Sequence, residues 1–283
     1  MIAIARLTVL EAARRRVLWV LAGVTVLSVV LTAWAIGQIT SISARGGTTA
    51  VEIALGVSQV LILAAFMFSF VLAMTAGFLA APAIGADIES GVAQALLARP
   101  IRRADFVLGR WLGLAVVVAG YALAAGLGEI GAVQFASGYG PPDPLGAVVY
   151  LAAQAIVLLT FALALSTRLP TIAAGAISIV AFGLGWMAGV LGGVGGYLGV
   201  PALTRASDAT HVLLPTDLLW RGVVFSLEPP AVILALAGRQ ARIFEANPFF
   251  ASSPPEAAAV AWSVGWVVLA LGAAVALLRR REI

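Results

Sequence analysis

Six apolar stretches, each long enough to cross about 30 Å of hydrocarbon at about 1.5 Å per residue, limit what this chain can fold into. They cover residues 17–37, 57–81, 106–130, 145–166, 171–197 and 257–278. Inside a bilayer such a run satisfies its own backbone only as a helix. The sequence therefore predicts an all-α integral membrane protein with six transmembrane helices. With 11% of the 283 residues charged, no polar stretch remains for an aqueous domain, and 1–283 reads as a single membrane domain.

The arginines set the orientation. Arg14, Arg15 and Arg16 precede the first run and Arg279, Arg280 and Arg281 follow the last. The positive-inside rule puts both ends in the cytoplasm, which requires an even number of crossings. The same orientation puts Arg99, Arg102, Arg103, Arg110 and Arg168 inside, and the 141–144 turn, with Asp143 and no arginine, outside. A seventh crossing over 211–238 is interrupted by Arg221, Glu228 and Pro229-Pro230. Each central charge costs about 2.5–3.5 kcal/mol on insertion. Residues 199–256 are thus expected to form an external segment, with short helices on or dipping into the interface near 213–225 and 231–239. The first run exceeds a signal-peptide core and follows a helix-compatible stretch, so it is expected to stay uncleaved. Residues 1–16 are predicted as an interfacial helix, with Ile2, Val9 and Ala13 opposite Arg6 and Glu11, and Glu11 paired to Arg15.

All 17 basic residues are arginine, cysteine is absent and His211 is the single histidine. Without lysine there is no Walker A site, no Schiff base and no lysine base. Without cysteine there are no disulfides, thiolate metal sites or Cys–His pairs. No cofactor or metal is expected on this chain. A sequence pI near 10.3 would point to nucleic acid in a soluble protein, but here the arginines flank apolar runs and face membrane lipids. A serine-type intramembrane protease would have to pair Ser178 with His211, and Ser178 lacks the flexible flanking glycine of an exposed nucleophile. The spans carry no His-Glu-x-x-His and no two buried aspartates. An ion-driven secondary transporter needs relay charges near mid-bilayer, and the spans lack them.

The segment 82–105 holds the richest mixture of charge and apolar residues. Asp87 and Glu89 read as the start of a short amphipathic helix, where carboxylates suit the dipole, and Ile88, Val92, Leu96 and Leu97 give it an apolar side. Pro100 ends it, and Arg102, Arg103 and Arg110 are expected at the lipid headgroups. It is either a surface loop obeying the charge rule or a docking element for a soluble partner.

The spacing Glu89-x-Gly91, Leu97, Pro100, Arg103, followed by Gly109-Arg110-Trp111-Leu112-Gly113, resembles the first cytoplasmic loop of permease subunits of type 2 ATP-binding-cassette (ABC) exporters. The arginine-rich helix before the first run resembles that family's connecting helix. Leu213-Leu214-Pro215-Thr216-Asp217-Leu218-Leu219-Trp220-Arg221-Gly222 resembles a segment before the last span of its small six-span members. Val92 departs from the pattern, since many relatives carry threonine there. The resemblance implies a bacterial or archaeal cytoplasmic-membrane exporter, powered by ATP and Mg on two copies of a separate ABC ATPase, with a second permease chain forming a homodimer or heterodimer. It implies coupling contacts at Asp87, Ile88, Glu89, Gly91 and Leu97, with Pro100 and Arg103 in the same motif. The apolar spans suit a hydrophobic or amphipathic cargo.

Relatives line the path with the second and fifth spans, so Gln59, Phe66, Phe70, Met74 and Trp186 are pathway candidates, with plain packing as the alternative. Gly185, Gly189 and Gly193 continue from Ala181 as a small-residue stripe, for a dimer contact or for packing within the monomer. Glu129, ionisable within a span, has a transport role or marks a solvated helix end paired to an arginine such as Arg45. His211 is expected to pack at the interface.

Overall fold

The computed structural model describes residues 1–14, 16–47, 49–92, 102–235, 244 and 246–281, and among these it contains ten helices and no strand. Six are long and apolar enough to cross a membrane: α2 (Arg16–Gly46), α3 (Ala50–Glu89), α4 (Arg103–Ser137), α5 (Pro144–Ser166), α6 (Thr171–Leu198) and α10 (Ala257–Arg279). α1 (Ile2–Arg14) precedes them, and α7 (Pro201–Leu213), α8 (Thr216–Leu227) and α9 (Pro230–Ala235) lie between the fifth and sixth. The chain is therefore the all-α membrane protein its hydropathy predicts.

Local chemistry sets several helix ends. Thr49 and Glu52 close a capping box at the start of α3, and Asp143 caps α5 through the Gly146 N–H at 2.8 Å, with Pro144 in the first turn. α3 and α5 form the centre of the bundle, while α2 and α10 keep large apolar faces outward. Both ends of the chain share one face. Arg103 Nη1 donates to the carbonyls of Leu278 (2.7 Å), Arg279 (2.9 Å) and Arg281 (2.9 Å), and the Met1 amino group lies 3.9 Å from Asp105. We call this the terminal face, and its opposite the far face.

Three expectations are corrected. First, the segment from 82 does not begin as a loop: α3 runs through Pro82 to Glu89. Buried Ala81, Ala83 and Ile84 lock the helix across the proline, and packing outweighs the lost hydrogen bond. Asp87 and Glu89 thus stand at a helix C-terminus rather than an N-terminus. Second, α1 does not bury Ile2, Val9 and Ala13. Its buried side is Ala5, Thr8 and Ala12, because these small residues seat against Gly109 and Gly113 of α4. A Cβ on Gly109 would meet Ile4 Cβ at 2.8 Å, and one on Gly113 would meet the Ala5 carbonyl at 2.6 Å.

Third, the 199–256 segment goes deeper than the interface. The chain reverses at Gly199, whose φ is +66°, and α7 returns along α6. Gly192 makes room for Ser207 there, and Gly195 for Leu203. After Leu214-Pro215, α8 climbs back along α5. The Thr216 carbonyl accepts from Gln154 Nε2 at 3.1 Å, halfway along α5, and the Ser226 carbonyl accepts from Asp143 N–H at 3.2 Å near the far face. Indole N–H groups of Trp262 and Trp266 donate to Val212 and Leu213 at 3.2 and 2.9 Å. Trp266 is nine residues into α10, about 14 Å below its far end. α7 and α8 are a re-entrant hairpin whose tip carbonyls are answered by side chains of α5 and α10, the condition for non-helical backbone at that depth. Of the short helix expected over 231–239, α9 covers the part to Ala235, and 236–239 lie outside the described residues.

Candidate functional site

On the terminal face, charges at the end of α3 are tied to three other elements. Arg110 of α4 donates from Nη2 to Asp87 at 2.5 Å and from Nη1 to Glu11 of α1 at 2.7 Å, with 14% of its side chain exposed. Glu89 Oε1 accepts the Thr171 N–H at 2.8 Å. It thereby caps α6, whose own N-cap, Pro170, has no side-chain hydrogen bond to offer. Carboxylates oppose the partial negative charge of a helix C-terminus, and here a guanidinium and the start of another helix offset that. Each charge-assisted bond of this kind contributes about 1.5–3 kcal/mol where it is shielded from water. Arg281 Nη1 donates to Thr167 at 2.7 Å, drawing the 167–171 turn into the same network.

Among the residues nominated for coupling, Asp87, Ile88, Glu89 and Gly91 therefore lie together at the end of α3. Ile88 is half-buried against the core, and Gly91 has φ +75°. Leu97 and Pro100 lie outside the described residues. Arg103 does not reach for headgroups but holds the carbonyl end of α10, and Arg110 is likewise turned inward. The pair expected between Glu11 and Arg15 involves a position outside the described residues, and Arg110 supplies a partner for Glu11 in its place.

In the middle of the bundle, Ser69 Oγ of α3 donates to Gln154 Oε1 at 2.6 Å while Gln154 Nε2 holds the hairpin tip. Nothing in the local pattern around Ser69 or Gln154 singled them out, and Asp217 entered only as one residue of the 213–222 segment. Phe66 and Trp186 do meet, with ring centroids 5.2 Å apart, in a cluster completed by Trp220 and Phe249. Phe70 is exposed and touches Phe182, while Gln59 and Met74 are half-exposed on α3. The glycine stripe packs within the chain: Gly185 faces Thr216, and a Cβ on Gly189 would run into the Asp217 carboxylate. Gly193 lines a cleft at the far face.

Glu129 is not at a solvated helix end. It is 9% exposed, beside buried Thr32, and one of its carboxyl oxygens has no hydrogen-bond partner. It faces a cavity of about 20 Å³ between α2, α3, α4 and α5, room for one water. The sequence reading missed this because burial there comes from Val148 and Leu151 of α5, which also line that cavity.

His211 is not simply packed at an interface. Its Nε2 is 3.0 Å from Asp217 Oδ2, and Arg221 Nε is 3.6 Å from the same oxygen. Ser178 donates to its own helix at the Ala174 carbonyl, so the serine–histidine pair of a protease is not formed. At the far face Glu228 is fully buried with neither oxygen bonded, and burial pushes its carboxyl up to about 7. The Tyr139 phenol, partly buried beside that carboxyl, is also pushed up, by desolvation and then by Glu228, while it donates to the Leu227 carbonyl at 2.8 Å.

A family model described as ABC-2 family transporter protein matches residues 2–283. No curated protein matches the chain.

Proposed function

The chain belongs to the ABC-2 transporter family, and from that membership we propose that it is the membrane half of an ATP-driven exporter for hydrophobic or amphipathic cargo. The family match makes it a multi-pass membrane subunit of an ABC transporter, and implies partnership with an ABC ATPase subunit. Beyond that, the terminal face is cytoplasmic, as the arginines at 14–16 and 279–281 require under the positive-inside rule. Two ATPase subunits carrying ATP and Mg dock there beneath two copies of this chain, in a bacterial or archaeal cytoplasmic membrane.

The observation that carries this reading is the set of bonds at the end of α3. Asp87 reaches α4 and, through Arg110, α1, while Glu89 holds the first N–H of α6. A displacement imposed on that end is delivered to four helices at once. Asp87, Ile88, Glu89 and Gly91, with Leu97 and Pro100 in the segment that follows, are the contact with the ATPase, and Arg103 keeps α10 in register. Gln59, Phe70 and Met74 face the path from α3, and Phe66 and Trp186 act on it through the hairpin they support.

Co-expression with an ABC ATPase encoded beside this chain tests the assignment. Glu89→Gln keeps an oxygen for the Thr171 N–H and removes the charge, whereas Glu89→Arg removes both. We expect both variants to weaken ATPase association and ATP-dependent transport in proteoliposomes. Wild-type association in both variants would refute a role for the Glu89 charge in docking.

A further inference from the structure

The arms of the re-entrant hairpin diverge from their tip and leave a cleft of about 840 Å³ at the far face, between α6, α7, α8 and the 250–256 segment leading into α10. That volume is ample for a small-molecule head of several heavy atoms. In a chain only 11% charged, three charged side chains and the histidine line it: Asp208 and His211 on α7, Arg221 on α8 and Glu256 at the mouth. Gly192, Gly193 and Gly196 of α6 form a back wall without side chains.

Arg221 is oriented for an anion. Its Nε lies 3.6 Å from Asp217, which is 4% exposed and wedged against Gly189, while its two terminal amino groups meet no acceptor among the described residues. A guanidinium whose terminal amino groups are open is a ready bidentate donor for phosphate or carboxylate. Asp208 sits at about the same depth on the facing arm, since each residue is five from the hairpin's tip helix ends at Leu213 and Thr216. The Asp208 and Glu256 carboxylates have no partner among the described residues. Among the described residues, the open end of Arg221 and the unpartnered carboxylates of Asp208 and Glu256 line the same cleft.

We propose that this cleft binds a phosphoryl–ammonium zwitterion, with the phosphate on Arg221 and the ammonium between Asp208 and Glu256. The source is either the head of a zwitterionic phospholipid in the far leaflet or the free head itself. The site needs neither the ATPase nor the coupling role of α3, so it stands or falls separately from the proposed function.

The test uses the full purified chain. In detergent it is titrated with glycerophosphoethanolamine and, separately, with glycerophosphate, reading tryptophan fluorescence. In nanodiscs it is compared in phosphatidylglycerol alone and with phosphatidylethanolamine added, reading the thermal midpoint. We expect saturable binding of glycerophosphoethanolamine, or stabilisation specific to phosphatidylethanolamine, weakened at least about tenfold by Arg221→Gln and by Asp208→Asn or Glu256→Gln. Asp208 and Glu256 are exposed, so their variants keep the test valid if Arg221→Gln unfolds. A response to the lipid alone identifies the bilayer as the source, and a response to the free head shows that the head suffices; both uphold the zwitterion site. Equal binding of glycerophosphate, insensitivity to both carboxylate variants, or no response to either zwitterion would overturn it.

Discussion

Glu228→Gln removes a pH dependence that the folded chain carries. The carboxyl is fully buried, neither oxygen is bonded, and burial raises it from 4.5 to about 7. Below pH 4.5 the group is neutral in both the folded and unfolded states, and its contribution to stability is complete. As pH rises toward 7 the unfolded chain releases the proton while the folded chain keeps it, so stability falls, and the loss is finished just above 7. The difference of about 2.5 pH units corresponds to about 3.5 kcal/mol at about 1.4 kcal/mol per unit. On the scale of domains of about 150–250 residues that is on the order of 7–14 °C in Tm. Thermal unfolding of purified protein in detergent, followed by tryptophan fluorescence from pH 4.5 to 8.5, measures it. The wild-type midpoint should fall with pH by about that much relative to Glu228→Gln, and the difference between the curves isolates this carboxyl from every other titrating group. Parallel curves would show that Glu228 is hydrated or paired and would refute the reasoning.

Gly113→Val places a branched side chain where the Ala5 carbonyl stands 2.6 Å from a bare Cβ. It should lift α1 from α4, at a cost of about 1–3 kcal/mol, seen as faster proteolysis within residues 1–14. Arg110→Gln leaves Asp87 and Glu11 without their shared guanidinium. It should lower Tm, and in the ATPase complex it should uncouple ATP hydrolysis from transport while complex formation persists. Gln154→Leu severs both the Ser69 bond and the support of the Thr216 carbonyl, costing about 1–2 kcal/mol at membrane-protein values. The hairpin should then loosen, read as faster labelling of a cysteine introduced at Thr216 in the cysteine-free background.

The spans were legible because hydropathy over some twenty residues depends on no distant contact, and the arginine clusters fixed their parity. The hairpin was not. α7 carries Arg205, Asp208 and His211 within thirteen residues, which reads as an interfacial helix. What allows it to descend is a glutamine 62 residues away in sequence from Thr216, and tryptophans 50 and 53 residues away from Val212 and Leu213. The continuation of α3 past Pro82 was hidden for a similar reason, since local propensity opposes it and tertiary packing of Ala83 and Ile84 prevails. At the candidate site the residue types were legible and their partners were not. The charge pattern flagged Asp87, Glu89 and Arg110, but no periodicity relates Glu89 to an N–H 82 positions along the chain. The stripe of Gly185 and Gly189 was visible as close packing, while its occupant, Asp217, emerged only from the return of α8.

α3 has 40 residues and Ser69 is the twentieth of them, so its bond to Gln154 falls at the midpoint of a helix about 60 Å long. A seesaw pivoted there has arms of about 30 Å, and a rocking of about 5° swings either end by about 2.6 Å. Because the arms are equal, a rigid rocking of α3 about Ser69 would carry Glu89 and Thr49 through equal and opposite steps at the two ends of the bundle.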